Sequence, residues 1–215
     1  MPFAKCANTT PASLRALAAA LAKMSTMPIA LFIDNNVWDL FLTRGTDLLS
    51  ELPPNEFTIQ ITREAEFEIP LMPLDARQYV EDAIRVRNVK TDRYFGFYDE
   101  SLPPDQQRVG GFGDKNNPDI GGRFASEEEL AVLRQERPSI GTAKRPTGLF
   151  KNEADVSLAA RSAVSVVLTC DGKRSLKRAR DVHGGTVIDL KRWRSEECLS
   201  DFIRAEIARA KDGNC

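Results

Sequence analysis

The chain has 215 residues, enough to bury a core as one domain, with 42% hydrophobic and 28% charged residues. A formal net charge of −1 argues against a uniformly basic nucleic-acid binder and leaves room only for a local basic patch. Four well-separated cysteines, no CxxC and a single histidine, His183, argue against a Cys/His zinc site and fit a reduced, cytoplasmic setting. No run is long enough to span a membrane.

The first predicted element is a helix. Leu14, Leu17, Leu21 and Met24 recur at helical spacing after Thr10 and Pro11, which suit the cap and first-turn positions. The apolar "ALAAALA" within it loosely resembles a signal peptide, but the helical spacing favours a packed amphipathic helix. Ile29 to Ile33 then reads as a buried strand, ending at Asp34-Asn35-Asn36. A helix from about Asn36 to Leu49, a loop at Pro53-Pro54 and a strand over 57–61 follow. Thr62 is placed to cap a short helix that Pro70 ends. A helix over 75–88 presents Tyr79, Ala83 and Val86 on one face.

From Thr91 to Phe150 the chain turns rich in Gly, Pro, Asp and Asn interleaved with aromatics, and reads as a long loop or insertion. It holds one short helix with a capping box, Ser126 to Glu129. A helix from 153 to about 162, a strand over 164–169, a helix in "GKRSLKRARD" and a strand in "GGTVIDL" come next. The terminal helix is expected to start from a Ser195 cap with glutamates in its first turn, and to turn Leu199, Phe202, Ile203 and Ile207 to one face. Strands alternating with helices indicate an α/β fold with a mainly parallel sheet.

Four acids stand out by position. Asp34 and Asp171 end two predicted strands, Glu68 lies in the short helix after the second strand, and Asp155 opens the helix before the fourth. All fall at the carboxyl edge of one sheet, where open α/β sheets place their sites. Clustered carboxylates repel unless a cation neutralises them or some are protonated. Hard oxygen donors without thiolates select Mg2+ or Mn2+. Each acid also has an ordinary reading: Asp34 as a helix cap, Glu64 and Glu68 as a solvated face beside Arg63, Asp155 as a dipole partner, Asp171-Gly172 as a turn.

With these motifs in order, "IALFIDNNVW", "ITREAEFEIP" and "EADVSLAARSAVSVVLTCD" followed by "GKRSLKRA" and "GGTVIDL", the chain resembles the PIN-domain nucleases from about Pro28 to Leu190. The resemblance implies a three-layer α/β/α sandwich. It covers neither the N-terminal helix nor the middle insertion, so the chain is expected to divide into a helical extension over 1–27, a PIN-like domain over 28–195 with the insertion at about 91–150, and a C-terminal helix over 196–215 packed on it. It implies metal-dependent endoribonuclease activity, with Asp34, Glu68, Asp155 and Asp171 as catalytic, metal-binding acids, Thr169 and Asn35 orienting them, and Glu64 as the fallback for Glu68. A water activated by Mg2+ or Mn2+ would leave a 5′-phosphate and a 3′-hydroxyl. The toxin of a toxin–antitoxin pair, with an antitoxin partner and a homodimer, belongs to the same expectation.

Two other functions compete. A non-catalytic PIN-like module would use the insertion to dock a protein or RNA. An aspartyl phosphatase of the haloacid-dehalogenase type needs a second Asp where Asn36 stands. Lys173, Arg174, Lys177 and Arg178 read equally as an RNA-phosphate clamp and as a solvated helix face. Trp193 reads first as a packing residue and His183 as structural. Cys170 reads as a core thiol. "GGFGDKNN" lacks the GK[ST] of a nucleotide loop, and its Gly-aromatic-Gly alternation suits a substrate contact or a partner-binding lid.

Overall fold

The computed structural model describes residues 27–113 and 121–212. The helix expected before Met27 lies outside the described residues. Within them, five strands form one all-parallel sheet: β1 (Ile29–Ile33), β2 (Phe57–Thr62), β3 (Lys90–Asp92), β4 (Val166–Thr169) and β5 (Thr186–Asp189). Their order across the sheet is β3-β2-β1-β4-β5. The chain therefore builds outward from β1 on one side, then returns to add β4 and β5 on the other. The switch falls between β1 and β4, where Leu31 to Ile33 pair with Val166 to Leu168.

Strand alternation sorts the core into two halves. Leu31 and Ile33 of β1, with Val166 and Leu168 of β4, face a cluster that holds Val37, Trp38, Phe41, Val80 and Phe202. Those residues come from α1 (Asn35–Arg44), α4 (Leu74–Arg87) and α8 (Leu199–Asp212). Phe32 and Val167 face the opposite way, onto Val132, Leu158, Leu176 and Ala179. These belong to α5 (Glu127–Glu136), α6 (Glu153–Arg161) and α7 (Arg174–Asp181). The result is a three-layer α/β/α sandwich with the C-terminal helix inside the same core.

Several elements depart from the expectation. The helix after β1 stops at Arg44, because Gly45 adopts φ 60° and its N–H closes on Leu42 O. A separate turn, α2 (Leu48–Glu51), then starts from an Asp47 cap. In α4 the buried face is Ala76, Val80, Ala83 and Arg87, and Val86 is exposed. Ser195 does not cap the terminal helix: α8 begins at Leu199, and the Ser195 hydroxyl goes to Glu196. By contrast, Thr62 caps α3 (Arg63–Glu68), and the Ser126–Glu129 capping box is present in both directions.

The described residues of the middle segment are a built part of the domain. The segment opens with β3, whose register places Thr62 beside Asp92. Arginines then hold it, Arg63 and Arg161 buried and Arg108 and Arg123 half-buried. Arg63 donates to Gln107 O at 2.9 Å and Asp105 O at 2.5 Å, and Arg108 pairs with Glu153 at 2.8 Å. Arg123 joins Asp92 at 2.7 Å to Glu129 at 2.5 Å, and Arg161 reaches Asp92 at 3.0 Å while lying over the Tyr94 ring.

Trp38 and Phe41 meet edge to face at 6.1 Å, and Phe41 meets Trp193 at 6.5 Å, so α1 is the hub of the larger core half. Phe41→Ala is expected to cost about 3–5 kcal/mol, read as a lower urea midpoint with an unchanged slope.

Candidate active site

β1 delivers Asp34 to the crevice between β1 and β4. Its backbone is extended and stands at the N-cap of α1, but its side chain makes no capping hydrogen bond. The ordinary reading of this residue therefore fails. The carboxylate accepts instead from Thr169 Oγ1 at 2.7 Å and from Asn36 Nδ2 at 2.7 Å. Thr169 Oγ1 also accepts from Asp171 N at 3.0 Å, so one hydroxyl links both strand-end acids. Asn36 Oδ1 accepts from Cys170 N at 2.8 Å, which ties α1 to the end of β4. Asn36 is a site residue that the sequence reading missed. Its signal was a carboxamide two positions after a strand-end Asp, noted as the place where a phosphatase would need a second Asp.

Asp155 and Glu68 lie close enough to act on Asp34. Burial, followed by the like charges of Asp155 and Glu68, pushes the Asp34 carboxyl up to about 6, against the opposing hydrogen bonds from Thr169 and Asn36. Glu68 Oε2 accepts from Asn35 Nδ2 at 2.9 Å, and its other oxygen meets Arg145 at 3.7 Å. Glu64 turns away from this group and accepts from Ser157 Oγ at 2.6 Å. The structure thus gives Glu68, rather than Glu64, the place beside Asn35.

Lys173 stands among the acids. Its ammonium lies 3.4 Å from Asp155 and 3.7 Å from Asp171. Burial works to lower its pKa, but Asp155 and Asp171 more than offset this and hold it above the ordinary lysine value. The rest of the basic helix divides. Arg174 and Lys177 are exposed, whereas Arg178 donates to the buried Glu136 at 2.7 Å, which His183 also approaches at 3.2 Å. Arg178 and His183 therefore serve packing between α7 and α5. Trp193 is buried, with Nε1 donating to Glu197 O and Arg44 over its ring, so it packs rather than stacks on a ligand. Cys170 is half-buried, and burial pushes its thiol up to about 11, which keeps it protonated at neutral pH.

The donor chemistry suits a hard divalent cation: oxygens from Asp34, Glu68, Asp155 and Asp171, and the buried Oδ1 of Asn35, which has no hydrogen-bond partner. The spacing is less accommodating. Among the described residues no three Asp, Glu, His or Cys side chains are arranged to hold a metal ion. The positive charge at the acids comes from Lys173 and Arg145. Comparison with protein-family models, with curated proteins and with solved structures returned no match.

The raised Asp34 carboxyl sets a pH dependence. Between about 4 and 6 the folded chain holds a proton at Asp34 that the unfolded chain has released, so stability falls as pH rises through this window. The loss is at most about 3 kcal/mol. In EDTA, urea unfolding from pH 4 to 7 is expected to show this decline in the wild type. Asp34→Asn should flatten it.

Proposed function

We propose that the chain is a metal-dependent ribonuclease that hydrolyses RNA phosphodiester bonds at the Asp34 crevice. One observation carries the reading. Asp34 does not cap its helix, yet it is held at the switch point of a parallel sheet with its charge opposed by burial, Asp155 and Glu68. Such an arrangement is unfavourable for a structural carboxylate and suits a group that works with a cation or a proton. Asp34, Glu68, Asp155 and Asp171 would hold Mg2+ or Mn2+ once the ion took the place of Lys173 and drew the acids together. When bound, the ion would supply an activated water and neutralise charge on the phosphate. In the hydrolysis the water oxygen would form the new bond to phosphorus, the bond to the 3′-oxygen would break, and that oxygen would leave with a proton.

The remaining side chains have supporting work. Thr169 and Asn36 hold one Asp34 oxygen in place, and Asn35 holds Glu68. Lys173 stands where it can pass from the acids to a phosphate, and Arg174 and Lys177 extend positive charge along the exposed side of α7. A toxin role with an antitoxin partner and a homodimer belong to this reading through the family resemblance, and a cytoplasmic setting through the well-separated cysteines of the sequence. No helix among the described residues is long and apolar enough to cross a membrane.

A second reading rests on Lys173. With its ammonium beside Asp155 and Asp171, the acids can be neutralised from within, as in a non-catalytic RNA- or protein-binding module. Melting in EDTA and then in Mn2+ separates the two. Saturating Mn2+ is expected to raise the wild-type midpoint by roughly 5–10 °C, and Asp34→Asn to lose both this rise and cleavage of labelled RNA. A wild type indifferent to Mn2+ and inert toward RNA would leave the binding module.

A further inference from the structure

Among the described residues, the exposed aromatics are concentrated in one segment. Among the large exposed hydrophobic residues, the aromatic ones are Phe97, Tyr98, Phe112 and Phe124, and all lie in the middle segment. Phe112 is 93% exposed and Phe124 is 78% exposed. They are not scattered. Both rest on the half-buried ring of Phe95, at centroid distances of 4.8 Å and 4.9 Å. Chance exposure of single apolar residues is ordinary, but contiguous exposed rings mark a surface that contacts something.

The backbone beneath these rings is tightly built. Three stretches of the segment run side by side through the bridges Tyr94–Arg123, Phe95–Gly110 and Gly111–Gly121. A methyl group at Gly110 would lie 2.4 Å from Gly122 N, and one at Gly122 would lie 2.6 Å from Phe95 Cα. Only glycine permits this approach. Tyr94, next to Phe95, is anchored by Arg161 over its ring and by Glu129 at its hydroxyl. The rings are thus presented from a fixed base.

The platform lies at the same sheet edge as the acids. All strands are parallel, and Phe32 pairs with Gln60 while Thr62 pairs with Asp92. Continuing the register sets Asp34 level with Asp92, two strand spacings away, or about 10 Å. Phe95 follows three residues later. Cations lie on the acid side of this span. Arg145 reaches Glu68 at 3.7 Å, and the adjacent Lys144 bridges to Phe150 and lies 5.8 Å from the centroid of its ring.

We infer that Phe95, Phe112 and Phe124 form a base-stacking platform for single-stranded RNA, from which the strand passes by Lys144 and Arg145 to Asp34. This rests on the reading of RNA as substrate and adds that the substrate is unpaired. Aromatic faces accept any base by stacking, while adjacent cations follow the backbone. Among the described residues the large exposed hydrophobic side chains of the segment are all aromatic, and cations lie nearby. A base fits that chemistry better than an aliphatic protein surface does. A paired duplex hides its base faces and gains nothing from such rings.

The test is the affinity of full-length protein for a fluorescein-labelled oligouridylate, measured by anisotropy in EDTA so that no cleavage intervenes. Phe112→Ala/Phe124→Ala is expected to weaken binding by about tenfold or more, and Phe112→Leu/Phe124→Leu by a similar factor, with melting midpoints unchanged because both rings are exposed. Binding of duplex RNA should be equal in all three proteins. Absence of wild-type binding, equal affinity in the alanine variant, or full affinity in the leucine variant would each overturn the platform. So would wild-type self-association in sedimentation that the alanine variant loses. The outcome is separable from the hydrolase reading: ring-dependent binding without cleavage keeps the platform and sinks the nuclease, whereas cleavage of unpaired RNA unaffected by loss of the rings does the reverse.

Discussion

A carboxylate removed from water at the end of a central strand must find donors, and much of this site follows from how Asp34 finds them. Thr169 and Asn36 both donate to the same oxygen. Each then makes a second bond, Thr169 accepting from Asp171 N and Asn36 accepting from Cys170 N. The two strands that flank the topological switch are thereby joined beyond their last ladder pair. The same contacts draw Asp171 into the neighbourhood of Asp34. Donors alone do not cancel the cost of burial, because Asp155 and Glu68 add like charge, and the carboxyl remains easier to protonate than an ordinary aspartate.

The surrounding charges complete the arrangement in pairs. Lys173 bridges Asp155 and Asp171, and Arg145 faces Glu68. The acids are therefore near one another without converging on a single point. A ligand with positive charge competes with Lys173, and one with negative charge can recruit it. This dual behaviour is why a nuclease and a binding module both make physical sense of the same residues.

Away from the crevice, paired arginines supplement the sparse apolar packing that the middle segment supplies through Val132 and Leu149. Asp92 receives both Arg123 and Arg161, and Glu129 receives Arg123 and the Tyr94 hydroxyl. Such networks are costly to desolvate and gain chiefly in geometric definition. They hold the described residues of a glycine-rich segment beside the sheet edge, through the bridges Tyr94–Arg123, Phe95–Gly110 and Gly111–Gly121.

Local rules were enough for much of the fold. The apolar runs of β1 and β4, the alternation in β2, the Thr62 cap and the Ser126–Glu129 box are all set by neighbours in sequence. So was the delivery of Asp34 and Asp171 to one sheet edge, since β1 and β4 are parallel and end on the same side. Other features depend on residues far apart in the chain. β3 is only Lys-Thr-Asp, with no apolar pattern, and becomes a strand because β2 offers an open edge. The helix start at Leu199 rather than Ser195 coincides with Glu51, from another part of the chain, accepting from Leu199 N. Glu68 rather than Glu64 joins the site because Asn35 and Ser157, distant in sequence, each claim one of them. Lys173 among the acids and three phenylalanines on one platform are likewise tertiary outcomes. The sequence by itself determined which groups carry charge and which strands they end. The tertiary structure decided which charges meet, because partner choice depends on distances that only packing sets.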